Sequence, residues 1–169
     1  MTAPDTEPDT APDTAPDTVP DTAPGTVAPE RRVGPLTRTD FVRYAGAGGD
    51  FNPIHHDETF ARSAGYPSVF GHGLLTAGVL AGYAASWLGR RNLRRFTVRY
   101  VGQVWPGDTL VLSGEVLRTG TAEDGGTEVE ASLEVHTEAA GRERRLVLRG
   151  GATAAYPAPA LALAEGDRP

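Results

Sequence analysis

No cysteine and no lysine occur among the 169 residues, and methionine occurs once. Without cysteine there is no disulfide framework, no thiolate zinc site and no sulfur nucleophile, and a reducing intracellular compartment suits the chain. All sixteen basic residues are arginine, which reads as a coding bias. It does not read as a nucleic-acid surface, because residues 1 to 29 hold six acids and no base while the other 140 residues balance at 16 against 16. Long apolar runs are also scarce. The stretch Gly73 to Leu88, sixteen residues without a charge, falls short of the roughly 20 that cross a bilayer. No nucleic-acid partner and no membrane partner are expected, and one domain is the natural size for this length.

The first residues repeat a unit close to Ala-Pro-Asp-Thr, with acids at Asp5, Glu7, Asp9, Asp13, Asp17 and Asp21. Proline removes backbone donors, like charges repel, and nothing large and apolar is present to bury, so residues 1–29 are expected to be a disordered leader. The repeat lacks the basic start and apolar run of a secretory signal and the arginines of a transit peptide, which makes a cytoplasmic location the default. A folded domain is expected over 30–157, followed by a tail over 158–169.

Within that domain, Thr37-Arg38-Thr39-Asp40 forms a capping-box-like helix start, with Phe41, Tyr44 and Ala45 on one face and a stop in Gly46-Ala47-Gly48-Gly49. Asp50 therefore falls in a loop. A second short helix is expected over 58–64 behind the N-cap Asp57, with Gly65 at its end. Gly73 to Leu88 is apolar on every side and predicts a helix buried all round. Tyr83, Trp87 and Trp105 read as core or interface anchors.

Everything from Leu93 to Tyr156 reads as strand and turn. Val129, Ala131, Leu133 and Val135 alternate with Glu128, Glu130, Ser132, Glu134 and His136, the period of a sheet with one dry face and one wet face. Phe96, Val98 and Tyr100 mark another strand, Leu110 to Leu117 a third, and Arg145 to Tyr156 a fourth that has a point of bending at Gly150-Gly151. Turns fall at Pro106-Gly107-Asp108, Gly125-Gly126 and Gly141. The fold class is α+β, an antiparallel sheet curled around a central helix.

Three of the four histidines, His55, His56 and His72, lie in loops flanking that helix; His136 belongs to the wet strand face. Asp50 and His55 are separated by Phe51-Asn52-Pro53-Ile54, in which proline turns the chain and lets both side chains converge. A carboxylate beside an imidazole suits adding water to an activated double bond, which needs a base for the water and an acid for the adjacent carbon. A helix cap and an ordinary loop histidine remain the plain alternatives. Gly73 opens the buried helix with an amide that has no intrahelical acceptor, suited either to a developing oxyanion or only to close packing. Arg90, Arg91, Arg94 and Arg95 cluster behind the helix as candidates for a substrate carrier's phosphates, or as a solvated loop.

The stretch from Tyr44 to Tyr83, YAGAGGDFNPIHHDETFARSAGYPSVFGHGLLTAGVLAGY, resembles the hydratase motif of MaoC-like (R)-specific enoyl-CoA hydratases and (3R)-hydroxyacyl-carrier-protein dehydratases, and within that family the catalytic subunit of the mycolic-acid-pathway dehydratase. The resemblance implies a hot-dog fold, no cofactor and no metal. It also implies a catalytic aspartate and histidine at Asp50 and His55, a loop-supporting asparagine at Asn52 and an oxyanion amide at Gly73. His72 is carried over only as a loop-orienting residue. Several members have a serine in the central helix where this chain has Ala81. The implied activity is a hydro-lyase acting on an acyl-CoA or acyl-carrier-protein thioester, in a homodimer or in a heterodimer with a second hot-dog subunit. A hot-dog thioesterase is the first alternative, weakened because no carboxylate lies on the central helix, and a non-catalytic subunit of a heteromeric dehydratase is the second.

Overall fold

A computed structural model describes residues 20–123 and 125–158. Most of the expected leader and tail therefore lie outside the described residues. Strand β1 (Arg31–Val33) leads into helix α1 (Arg38–Gly48), a single 3-10 turn (Pro53–His55), α2 (Glu58–Ser63) and α3 (Gly73–Leu88), and then into β2 (Leu93–Tyr100), β3 (Thr109–Thr121), β4 (Thr127–Ala139) and β5 (Arg142–Tyr156). The strands form one antiparallel sheet in the order β1-β3-β4-β5-β2.

Local chemistry fixes the helix ends. The Thr37 side chain accepts from the amide of Asp40, whose carboxylate accepts from the Thr37 amide, a complete capping box. Gly49 closes α1 in the left-handed region at φ 69°, where a side chain would be strained. Asp57 caps α2 through the amides of Thr59 and Phe60.

The sheet is dry on the side that meets α3. Val129, Ala131, Leu133 and Val135 of β4 are each no more than 1% exposed, and Leu80, Ala84 and Leu88 of the helix are fully buried against the sheet. Close approach depends on missing side chains. A Cβ at Gly150 would lie 3.1 Å from Leu80 Cδ2, 3.2 Å from the Thr97 carbonyl and 3.3 Å from Leu133 Cβ, so glycine there lets the helix sit directly on β4 and β5. This is the α+β hot-dog arrangement expected from the sequence.

Three details differ from expectation. The chain is already paired before residue 30: the amides of Gly25 and Ala28 donate to Val116 and Gly114 carbonyls at 2.8 and 2.9 Å, and Ala28 is buried. Backbone pairing needs no apolar periodicity, so a proline-rich composition concealed it. β5 keeps its pairing through Gly150-Gly151, which stay in register with Leu133 and Ser132, and the irregularities of register fall between Val135 and His136 and between Thr137 and Ala139. Finally, α3 is not buried all round within one chain, since Leu74 is 69% exposed and Gly78, Gly82 and Ser86 are exposed too. Among the described residues the sheet covers one side of the helix only.

Leu80→Ala removes a fully buried side chain from the contact between helix and sheet and is expected to cost about 2–5 kcal/mol. Urea denaturation followed by circular dichroism measures this, and a loss within 0.5 kcal/mol of zero, the range of surface substitutions, would place Leu80 outside the core.

Candidate active site

The loop after α1 turns on itself through short-range bonds. The Asn52 amide donates to Asp50 Oδ1 at 3.2 Å, and Asn52 Oδ1 accepts from the Ile54 amide at 3.1 Å. Proline at the first position of the following 3-10 turn is compatible with this, because its fixed φ suits the turn and it has no N–H to satisfy. One carboxylate oxygen of Asp50 is thereby held by the backbone, and the other, Oδ2, faces two imidazoles, His55 Nε2 at 3.8 Å and His72 Nε2 at 4.0 Å.

The two histidines are oriented by carbonyl oxygens. Phe70 O lies 2.7 Å from His55 Nδ1, and a carbonyl can only accept, so Nδ1 carries the hydrogen and a neutral His55 presents the lone pair of Nε2 to Asp50. The same rule applied to His72, whose Nε2 lies 3.0 Å from the Asp50 carbonyl, puts its hydrogen on Nε2. Its Nδ1 is buried without a partner among the described residues. The rings of His55 and His72 stack at 3.8 Å with 29° between planes, and the Tyr44 ring packs against His72 at 5.0 Å. His72 thus ties the Asp50 backbone to the His55 ring.

Burial lowers the pKa of His55 below its ordinary value of 6.5; the bond to the Phe70 carbonyl works in the opposite direction, and neighbouring His72 adds to the lowering. The ring is consequently neutral at neutral pH. A separation of 3.8 Å is too long for a direct hydrogen bond and leaves the two groups free to engage one small molecule from either side.

Asp50, His72 and Gly73 line one open pocket of about 350 Å³ together with Tyr44, Gly48, Leu74 and Tyr100. Gly73 begins α3, and its amide has no acceptor among the described residues. A Cβ at Gly73 would meet the Tyr100 ring at 3.0 Å, so glycine lets the aromatic ring close over the helix end. His55 is 9% exposed and stands behind Asp50, outside that lining.

Asp50, His55 and His72 offer ligand-type atoms within 4.8 Å of one another. They fit a metal poorly, because stacked rings direct their lone pairs side by side and His72 Nε2 already donates to a carbonyl. Chemically, the set offers a carboxylate and an imidazole lone pair between which a proton could move.

The loop residues predicted from sequence meet in space, while the four arginines do not join them. Arg90 and Arg91 follow the C-terminal end of α3, a helix of 16 residues and so about 24 Å from Gly73 at 1.5 Å per residue. Arg94 and Arg95 are exposed at the start of β2, Arg94 bonding back to the Arg91 carbonyl at 2.6 Å. Sequence reasoning missed Phe70, which acts through its main chain, and the placement of Tyr100, which depends on how β2 returns past α3. His136 is half-buried on the outer sheet face beside Glu134, at 3.9 Å.

A family model described as "MaoC like domain" matches residues 10–139. The chain is 36% identical over 86 residues to 3-hydroxyacyl-thioester dehydratase Y of Mycobacterium tuberculosis, an alignment covering 48% of this chain and 30% of that protein. Among solved structures, the unliganded R-hydratase PhaJ1 of Pseudomonas aeruginosa superposes with TM-score 0.65 at 25% identity, covering 79% of this chain and 81% of that one. One chain of the ChsH1-ChsH2 complex of Mycobacterium tuberculosis superposes with TM-score 0.65 at 23% identity, covering 79% and 98%, and this is a likeness of fold. This chain spans 30% of the length of the dehydratase it matches. With three-quarters of its residues inside the family match, and the Asp50–His55 loop folded against the glycine that opens its central helix, the chain belongs to the family of MaoC-like domains.

Proposed function

We propose that the protein is a hydro-lyase that interconverts trans-2-enoyl and (R)-3-hydroxyacyl thioesters, with Asp50 and His55 as its catalytic pair and Gly73 as its oxyanion donor. The observation that carries this reading is the bare Nε2 of His55 held 3.8 Å from Asp50 Oδ2, while the other oxygen of that carboxylate accepts from the Asn52 amide.

In the hydration direction a water molecule sits between Asp50 Oδ2 and His55 Nε2. As its oxygen bonds to C3, its proton passes to His55 Nε2, and the double-bond electrons move through C2 onto the thioester oxygen. That oxygen meets the Gly73 amide at the positive end of α3, which stabilises the enolate as it forms. Collapse of the enolate takes a proton back from the pair at C2, and the carbon–sulfur bond stays intact. Dehydration runs the same steps in reverse. His72 is a positioning residue that fixes Asp50 through its carbonyl and His55 through ring stacking.

The carrier is coenzyme A or a carrier protein, and the setting is the cytoplasm; no described helix is long and apolar enough to cross a membrane. We further propose that a second hot-dog subunit, either a copy of this chain or a partner of the same fold, covers the exposed side of α3 at Leu74, Gly78 and Gly82 and pairs with edge strand β2. An exposed apolar helix side next to an open strand edge supports this assembly.

A positioned acid or base is worth on the order of 10² to 10⁴ in rate, so Asp50→Asn and His55→Ala are each expected to lower kcat for a short enoyl-CoA by that factor, measured by loss of enoyl absorbance, with unchanged thermal melting. Because His55 must be neutral to accept the proton, kcat/KM for hydration is expected to fall as pH drops, along a limb below 6.5, the direction in which burial moves this ring. Full activity in both variants, or an acid limb above that value, would refute the assignment. Light scattering on the active fraction is expected to give the mass of a dimer; a monomer with full turnover would remove the second subunit from the account.

A further inference from the structure

The first turn of α3 carries a polar group that the fold leaves unused. Thr76 is 4% exposed, yet its hydroxyl has no hydrogen-bond partner among the described residues. A helical threonine ordinarily turns its hydroxyl back to the carbonyl three or four residues earlier. Four residues before Thr76 stands His72, whose carbonyl already accepts the amides of Leu75 at 3.2 Å and of Thr76 itself at 3.5 Å. Among the described residues the side-chain atoms that are both sealed and unpaired are Nδ1 of His72 and Nδ1 of His136, so the unpaired Thr76 hydroxyl opens into a space.

That space is a cavity of about 180 Å³ beneath the N-terminal end of α3, walled by Thr76, Gly73, Phe70, Tyr100, Val104 and Leu148. Gly73 and Tyr100 also line the catalytic pocket, so the cavity borders the amide assigned above as the oxyanion donor. The main chain around it is already engaged, with the Gly71 amide donating to the Val104 carbonyl at 2.8 Å and the Gly102 amide to the Val147 carbonyl at 3.1 Å. Side chains on a helix lean towards its N-terminus, and positions three apart are neighbours at about 5–6 Å. The Thr76 hydroxyl therefore reaches over the turn that Gly73 opens, where one oxygen can accept from both donors at about 2.9 Å each.

We propose that Thr76 is a further catalytic residue, whose hydroxyl donates a second hydrogen bond, beside the Gly73 amide, to the thioester oxygen. This assignment rests on the hydro-lyase reading above. The hydroxyl keeps its proton throughout, and its bond strengthens as negative charge grows on that oxygen, so it favours the enolate over the resting carbonyl. A buried hydroxyl without a partner is a cost to the fold, and an apolar isostere at position 76 would remove that cost. Stability alone gives no reason for threonine here.

The test compares the full chain with Thr76→Val, which removes the hydroxyl, and Thr76→Ser, which keeps it. Losing one oxyanion donor costs on the order of 10² to 10³ in kcat, so Thr76→Val is expected to lower kcat for crotonyl-CoA by about ten-fold or more with KM little changed. Thr76→Ser is expected to recover most of that loss. Thr76→Val should also melt at the wild-type temperature or above it. Bound butyryl-CoA, which has no double bond to hydrate, should show a smaller downward shift of its carbonyl stretch with Thr76→Val than with the wild-type chain. A wild-type kcat in Thr76→Val would overturn the proposal and leave the hydro-lyase reading in place, and so would a melting temperature below wild type that Thr76→Ser restores, since the hydroxyl would then serve the fold. A wild-type chain that neither turns over crotonyl-CoA nor shifts the butyryl-CoA carbonyl would remove the hydro-lyase reading and the donor role together.

Discussion

A sixteen-residue helix without a charged side chain is destabilised wherever water reaches its apolar side chains, and the placement of α3 organises the rest of the molecule. The sheet curls over one side of it, helped by glycine at position 150 where β5 would otherwise hold the helix away. Because α3 is anchored along its length by Thr76, Ala77, Leu80, Ala84 and Leu88, its N-terminal end is a fixed point. The loops before it are assembled around that point. His72 is the N-cap residue of α3, His55 is bonded to the Phe70 carbonyl two residues earlier, and Asp50 is bonded to His72 through its own carbonyl.

The carboxylate and imidazole are thus oriented by groups that do no chemistry. Backbone carbonyls choose which nitrogen of each ring carries a hydrogen, and the Asn52 amide settles one oxygen of Asp50. Burial favours the neutral ring of His55. In the proposed reaction such preorganisation means that little has to be rearranged when charge develops. At position 73 a Cβ would lie 3.0 Å from the Tyr100 ring, so glycine lets that ring sit close against the helix end.

Much of the fold was legible in the sequence because it rested on period and punctuation. The bounds of α3, the capping box at Thr37 and Asp40, and the dry face of β4 all follow from local patterns. What stayed illegible depended on long-range geometry. The pairing of residues 25–28 with β3 uses main-chain bonds that composition does not encode, and the exposed side of α3 reflects how far a single sheet can wrap. In the site, the spacing of Asp50 and His55 allowed the two to converge and the resemblance of the surrounding motif implied that they do, whereas the part played by Phe70 is a carbonyl that any residue type carries.

The central claim is that His55 presents a bare Nε2 to Asp50, and nitrogen NMR of the ring atoms of the four histidines at neutral pH reads this directly. The account predicts hydrogen on Nδ1 of His55 with an unprotonated Nε2, and the opposite arrangement in His72. A hydrogen found on Nε2 of His55, leaving no lone pair towards the carboxylate, would contradict it.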